Sequence, residues 1–150
     1  MDNCRAKAQK AVDELGQQMG GYVPETLKHI NKHYPSLAVI IKDMDKVINE
    51  DGALDRKTKR LIALACVAVR MCDGCVYPQA KVAKNNGATR EEIMEALNIA
   101  VLTGGVPTWS NAKGGITKLF DEWDAEDAEK KLFSKPKAKS KTTKKTATKK

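Results

Sequence analysis

Two cysteines at C-x-x-C spacing, Cys72 and Cys75 in the stretch MCDGCVYPQAK (71–81), are the residues of this 150-residue chain best suited to chemistry. Such a pair has three uses: thiol–disulfide exchange, part of a metal site, or plain buried packing. Only a thiolate attacks a disulfide or a peroxide, and an ordinary cysteine, with a pKa of about 8.5, is mostly protonated at neutral pH. The surroundings must therefore lower it. The Cys72-Asp73-Gly74-Cys75 turn falls between the end of one helical segment and the start of the next, where the helix dipole and unpaired N–H groups favour an anion. Arg70, two residues before Cys72, and Arg60, about three turns upstream, bring positive charge, while Asp73 opposes it. Gln79 takes no proton, but its amide can donate to a sulfur anion one helical turn away. Tyr77 and Trp109 are candidates for the pocket wall beside the pair.

Pro78 has no N–H, and its ring conflicts with the Gly74 carbonyl, so the helix is expected to start late or kink there and leave N–H groups near Cys75 unpaired. On this reading Cys72, first in the chain and outside the helix, is the exposed attacking thiol and Cys75 the buried resolving partner. A zinc or iron–sulfur site is the lesser alternative. Cys66, Cys72 and Cys75 offer three thiols where about four ligands are wanted, and Cys66 reads as a small core residue. His29 and His33 have the i, i+4 spacing of a two-histidine metal face, yet no further ligand accompanies them, and a solvated polar face is the simpler reading. Cys4 is assigned no role.

Apolar spacing requires an all-α frame of about six to seven helices around this turn. Ala8, Val12, Leu15 and Met19 mark a first helix ended by Gly20-Gly21. Pro24 fits the first helical position of a second, which Pro35 closes. Ser36 can cap a third, whose positions 37, 40, 41, 44, 47 and 48 form one wide apolar stripe. Asp55 caps a fourth, in which every residue from Leu61 to Val69 is apolar; it is expected at the centre of the domain, touched on all sides. The helix after the dithiol runs to about Asn86, with Gly87 in the left-handed cap position. Thr89 and Glu92 form a capping box for the next, which Gly104-Gly105 stop. A last long helix from Pro107 or Thr108 carries Trp109 and Trp123 as core or interface anchors. Gly114-Gly115 inside it imply a close helix approach or a ligand, since each costs roughly 1 kcal/mol relative to Ala.

The net charge of +8 suggests a nucleic-acid partner until it is located. Eight lysines and no acid lie in SKPKAKSKTTKKTATKK (134–150); in the remainder, basic and acidic residues balance at 19 each. The expected organisation is therefore one helical domain, 1–133, followed by a disordered basic tail, 134–150, capable at most of non-specific phosphate contact. No apolar run is long enough to span a membrane, and MDNCRAKAQK has no signal-peptide layout, which points to a cytoplasmic protein. In that reducing compartment a C-x-x-C pair is more often catalytic or metal-binding than a permanent staple.

With LDRKTK before the apolar helix, C-x-x-C at its end, NNGATREEIMEAL after it and a GG-x-P turn, Leu54 to Pro107 resembles the core of the alkyl hydroperoxidase D-like branch of the carboxymuconolactone decarboxylase family. The resemblance implies a compact helical bundle assembled into trimers or hexamers, and a dithiol that cycles to a disulfide while reducing peroxides or passing electrons to a partner. It also implies no cofactor beyond that redox-active disulfide. In the family's peroxidases a glutamate on the central helix and a histidine four residues after the second cysteine relay a proton. The matching positions here hold Arg60 and Gln79. Disulfide exchange needs a thiolate and a leaving thiol but no relay, so the expected function is reduction of protein or small-molecule disulfides, with peroxide turnover secondary. The expected partners are a disulfide-bearing substrate and a reductant. A lactone decarboxylase like the family's namesake, or a metal-binding or scaffold oligomer, is the alternative.

Overall fold

In a computed structural model the described residues are 2–133. The tail, 134–150, lies outside the described residues, as does Met1. The chain is all-α, with eight helices among the described residues: α1 (Asp2–Gln18), α2 (Glu25–His33), α3 (Pro35–Met44), α4 (Lys46–Asn49), α5 (Arg56–Val69), α6 (Asp73–Asn85), α7 (Arg90–Gly104) and α8 (Val106–Phe133). No helix among them is long and apolar enough to cross a membrane.

The helix count exceeds the sequence expectation because the third segment breaks at Asp45. The Asp45 N–H closes α3 onto the Ile41 carbonyl (2.8 Å), and the Asp45 carbonyl accepts from Asn49 N–H (2.9 Å) to open α4. Two proline positions also differ. Pro24 is the residue before α2, and Pro35 closes nothing but opens α3, with its fixed φ pre-set for a first helical position, leaving Ser36 inside the helix. The expected wide apolar stripe of α3 is only partly covered. Ala38 packs at 0% exposure against α1, whereas Leu37, Ile40, Met44 and Val47 stay 40–78% exposed.

Two apolar clusters make the core. One joins α5, α6, α7 and α8 through Leu64, Val76, Ile93, Leu97, Ala112 and Leu119; the other joins α1, α2 and α3 through Val12, Leu15, Leu27 and Ala38. Each fully buried Leu or Ile contributes roughly 1.5–3 kcal/mol. α6 serves both, turning Val76, Ala80 and Ala83 to the first and Val82 to the second. Two glycines fix its position. A Cβ at Gly20, where φ is +69°, would meet Asn85 Cβ at 2.7 Å, and the Asn85 amide donates to the Met19 carbonyl (2.7 Å). A Cβ at Gly115 would come within 2.9 Å of the Tyr77 backbone nitrogen, so the close helix approach expected from the Gly114-Gly115 pair is made by Gly115, while Gly114 faces open space.

The expectation for α5 is corrected. Arg60, Leu64 and Ala68 are buried, but Ile62 (48%), Cys66 and Val69 (38%) are exposed. α6 and α7 pack most closely on α5, with α8 and α4 touching it as well, and among the described residues the flank that carries Ile62 and Cys66 is left exposed. Ile99, Leu102 and Val106, on α7 and at the start of α8, are exposed as well.

Candidate functional site: the dithiol turn and a buried arginine

The chain reaches the dithiol through a tight backbone reversal. Met71 N–H bonds to the Ala68 carbonyl (3.0 Å) and Cys72 N–H to the Val67 carbonyl (3.1 Å), the double closure of a Schellman motif with Arg70 as C-cap. The residue in the left-handed position is Met71 (φ 56°), where glycine is usual and a side chain costs roughly 1–2 kcal/mol. Nothing in the local composition signals it. The reversal delivers Cys72 as the N-cap of α6, without a side-chain cap hydrogen bond, and Cys75 into the first turn. The two sulfurs form a disulfide across a Cα–Cα distance of 5.3 Å.

α6 starts at Asp73 and runs through Pro78, rather than starting late as expected. The Cys75 N–H is also paired, donating to the Cys72 carbonyl at 3.0 Å. Both cysteines are half-buried, so burial does not set an exposed attacker apart from a buried partner. A Cβ at Gly74 would meet nothing within 4 Å, so the outer side of the turn is open to a substrate.

Arg60 and Gln79, the residues at the relay positions, meet each other. Arg60 is 3% exposed; its Nη1 donates to Gln79 Oε1 (3.2 Å) and its Nη2 to Asn49 Oδ1. Among the described residues no hydrogen bond joins either side chain to a sulfur. Burial pulls the Arg60 guanidinium below its ordinary range, with Asp45 pulling the other way, and the same burial raises the Asp45 carboxyl against the pull of Arg60. Asn49 and Asp45 reach this position because of the break between α3 and α4, which the sequence reading did not place. The only signal was a polar pair at the end of an apolar stripe.

Arg70 is exposed at the end of α5. Tyr77 turns toward α8: its hydroxyl donates to Glu122 (2.8 Å), its ring meets the Tyr22 edge at 6.0 Å, and Lys118 lies 4.3 Å over it. Desolvation and the Glu122 bond raise its phenol far above the ordinary range. The cavity it lines, with Tyr22, Glu25, Lys28 and Lys118 among others, includes neither cysteine. Trp109 packs against the α5–α8 cluster. Cys66, expected in the core, is exposed and borders an apolar groove of about 470 Å³ between α5 and α7. No cluster of three or more His, Cys, Asp or Glu side chains among the described residues is arranged to hold a metal. His29 and His33 stack at 4.4 Å, and neither belongs to such a cluster among the described residues.

Fold and turn together define an all-α bundle that presents a C-x-x-C disulfide at a helix N-terminus. The chain belongs to the carboxymuconolactone decarboxylase family, whose profile matches residues 35–116. It is 40% identical over 81 residues to "Uncharacterized protein 4 in cox locus" of Paracoccus denitrificans, covering 54% of this chain and 72% of that one. It is 35% identical over 96 residues to uncharacterized protein MJ0742 of Methanocaldococcus jannaschii, covering 63% and 92%. Among solved structures, apo-lpg0406, a carboxymuconolactone decarboxylase family protein from Legionella pneumophila, aligns with TM-score 0.57 and 31% identity over 77% of this chain and 96% of that one. A Burkholderia xenovorans LB400 protein assigned as a carboxymuconolactone decarboxylase shares the fold, with TM-score 0.70 and 21% identity over 85% and 98%.

Proposed function

We propose that the protein is a thiol–disulfide oxidoreductase that reduces protein or small-molecule disulfides with Cys72 and Cys75. The observation that carries this reading is the pair itself, held at the start of α6 on a turn whose outer side is open. In the reduced protein the Cys72 thiolate attacks one sulfur of the substrate disulfide, forming a mixed disulfide and releasing the other half as a thiolate, which takes up a proton. The Cys75 thiolate then attacks Cys72 Sγ and expels the second half. Two electrons have passed to the substrate, and the Cys72–Cys75 disulfide remains for a separate reductant to reset. The partial positive charge of the α6 N-terminus stabilises the thiolate, and Arg70 adds charge from the preceding turn.

The family's name describes a lactone decarboxylation, a reaction with no use for a C-x-x-C dithiol, so the dithiol favours the redox reading. The exposed apolar residues of α5 and α7 support assembly into a homo-oligomer, trimeric or hexameric, and a monomer in sedimentation equilibrium at micromolar concentration overturns that part. The catalytic test is turnover of a low-molecular-weight disulfide by wild type and by Cys72→Ser. Turnover falls to the buffer blank in the variant; an unchanged rate overturns the proposal.

A further inference from the structure

Two polar side chains near the start of α8 have no partner among the described residues. Thr108 is fully buried with its Oγ1 unpaired, and the buried Nδ2 of Asn111 is unpaired as well. Buried polar groups are nearly always satisfied, so an orphan donor marks either a missing partner or a second state of the protein. This one lies against the dithiol turn. A Cβ at Gly104 would sit 2.5 Å from Thr108 Oγ1 and 3.3 Å from the methyl groups of Val69, which puts Thr108 beside the last residue of α5. Two turns further along α8, a Cβ at Gly115 would sit 2.9 Å from the Tyr77 nitrogen and 3.1 Å from Val76 Cγ1. Residues 108, 111 and 115 share one helix face, so Asn111 faces the chain that runs between Val69 and Val76. The pairing can be drawn more closely. α6 and α8 run parallel, with Tyr77 bonded to Glu122 and, one turn on in both helices, Lys81 to Glu126. Gly115 meets Val76; one turn earlier in both helices stand Asn111 and Cys72.

We propose that Asn111 is the hydrogen-bond donor for the Cys72 thiolate of the reduced protein. A disulfide sulfur is a weak acceptor and leaves the amide unpaired, whereas a thiolate in the same place is an anion, and hydrogen bonds to ions are the strong ones. Reduction therefore satisfies a donor that oxidation strands. Cys72 makes no side-chain cap bond to α6, so its sulfur is not committed to the N–H groups of its own helix. Arg70 and Asp73 are the charged neighbours on the turn itself; Val69 and the facing residues Thr108, Asn111 and Gly115 add no charge. The assignment rests on the disulfide-reductase reading and names the group that prepares its attacking thiol. The Cys72 electron pair forms the bond to one substrate sulfur, the substrate S–S bond breaks, and the charge leaves on the departing thiolate, which frees the amide.

The test is the pH profile of iodoacetamide alkylation of the reduced full chain, read residue by residue by mass spectrometry, with glutathione alkylated in parallel as reference thiol. In the wild type Cys72 titrates below glutathione. Asn111→Leu keeps the volume, removes the donor and raises the Cys72 midpoint by about one pH unit. Asn111→Asp sets a negative charge there and raises it further, while Asn111→Gln, which keeps an amide, stays nearer the wild type. Stability supplies a readout that simple packing does not move. A thiol whose folded-state pKa is the lower one contributes fully above its unfolded value, so urea unfolding is read at about pH 9. There Asn111→Leu leaves the oxidised chain at least as stable as wild type, because an apolar group replaces an unpaired one, and weakens the reduced chain. A wild-type Cys72 that titrates with glutathione, a midpoint unmoved in the Leu and Asp variants, or equal losses of stability in both redox states overturns the proposal. Should the Leu variant not fold, the isosteric Asp variant decides by its midpoint. Alkylation needs no disulfide substrate, so a protein that reduces none leaves this result standing. An unmoved midpoint in a protein that does turn over disulfides removes Asn111 and keeps the reductase reading.

Discussion

Two successive turns, the one from α5 to α6 and the one from α6 to α7, close with the same backbone motif and differ at each side chain that matters. At the end of α6, Gly87 N–H bonds to the Lys84 carbonyl (2.9 Å) and Ala88 N–H to the Ala83 carbonyl (3.0 Å), with Gly87 at φ 88°. Thr89 then caps α7 in a complete capping box with Glu92. At the end of α5 the two closing bonds are the same, but the left-handed residue is Met71, and the following N-cap is Cys72 with no side-chain cap bond. One turn takes the residues that cost least. The other departs from them at both positions, and those departures surround the dithiol, where a fold can tolerate local strain for the sake of a site.

The largest way to separate the two turns is Cys72→Ser. Disulfide turnover falls to background, yet serine is a better N-cap than cysteine, so the variant is about 0.5–1 kcal/mol more stable than the reduced wild type in urea unfolding. A loss of stability in this comparison shows that Cys72 is a structural residue and breaks the contrast. Next come the left-handed positions. Gly87→Met forces a side chain into that conformation and costs about 1–2 kcal/mol, whereas Met71→Gly removes such a cost, offset by glycine's greater entropy, and gains about 0.5–1 kcal/mol. Opposite signs at equivalent positions are the measurement that counts. If Met71→Gly destabilises instead, the Met71 side chain contributes more than its backbone costs.

The ordinary turn was legible in the sequence and the unusual one was not, for a physical reason. Gly87, Thr89 and Glu92 are the residues that satisfy orphan backbone groups most cheaply, so they signal their positions. Met71 stands in a left-handed position that usually takes glycine, so its residue type does not signal the turn. The dithiol was legible because two cysteines at this spacing are rare outside chemistry. The Arg60–Gln79 contact was not: Arg60 and Gln79 were noted only as departures from a relay, and nothing local says that two positions 19 residues apart share a hydrogen bond. That pairing is set by the packing of α5 on α6. The break at Asp45, which turns Asn49 inward, was hidden for the same reason. An unbroken apolar stripe suggested one helix, and the exposed flank of α5 read as core because apolar residue type alone does not reveal which side of a helix is covered.

The smallest effect concerns the capping box and its dependence on pH. Glu92 accepts from Lys57 Nζ (2.6 Å), tying the start of α7 to α5, and from Thr89 N–H (2.8 Å). The Lys57 bond first, and the Thr89 N–H second, hold its carboxyl below the ordinary glutamate value. Because the folded-state pKa is the lower one, the ionised group's contribution is fully present above the unfolded value and disappears as pH falls through the folded value. Glu92→Gln keeps the capping geometry and removes the charge. The Tm of wild type should therefore exceed that of the variant near neutrality, and the gap should narrow as pH falls below the ordinary glutamate value and close once the folded-state carboxyl is protonated. A gap that stays constant throughout assigns the box's stability to hydrogen-bond geometry alone. The ordinary turn would then owe nothing to charge, leaving the α6 N-terminus as the one of the two where charge matters.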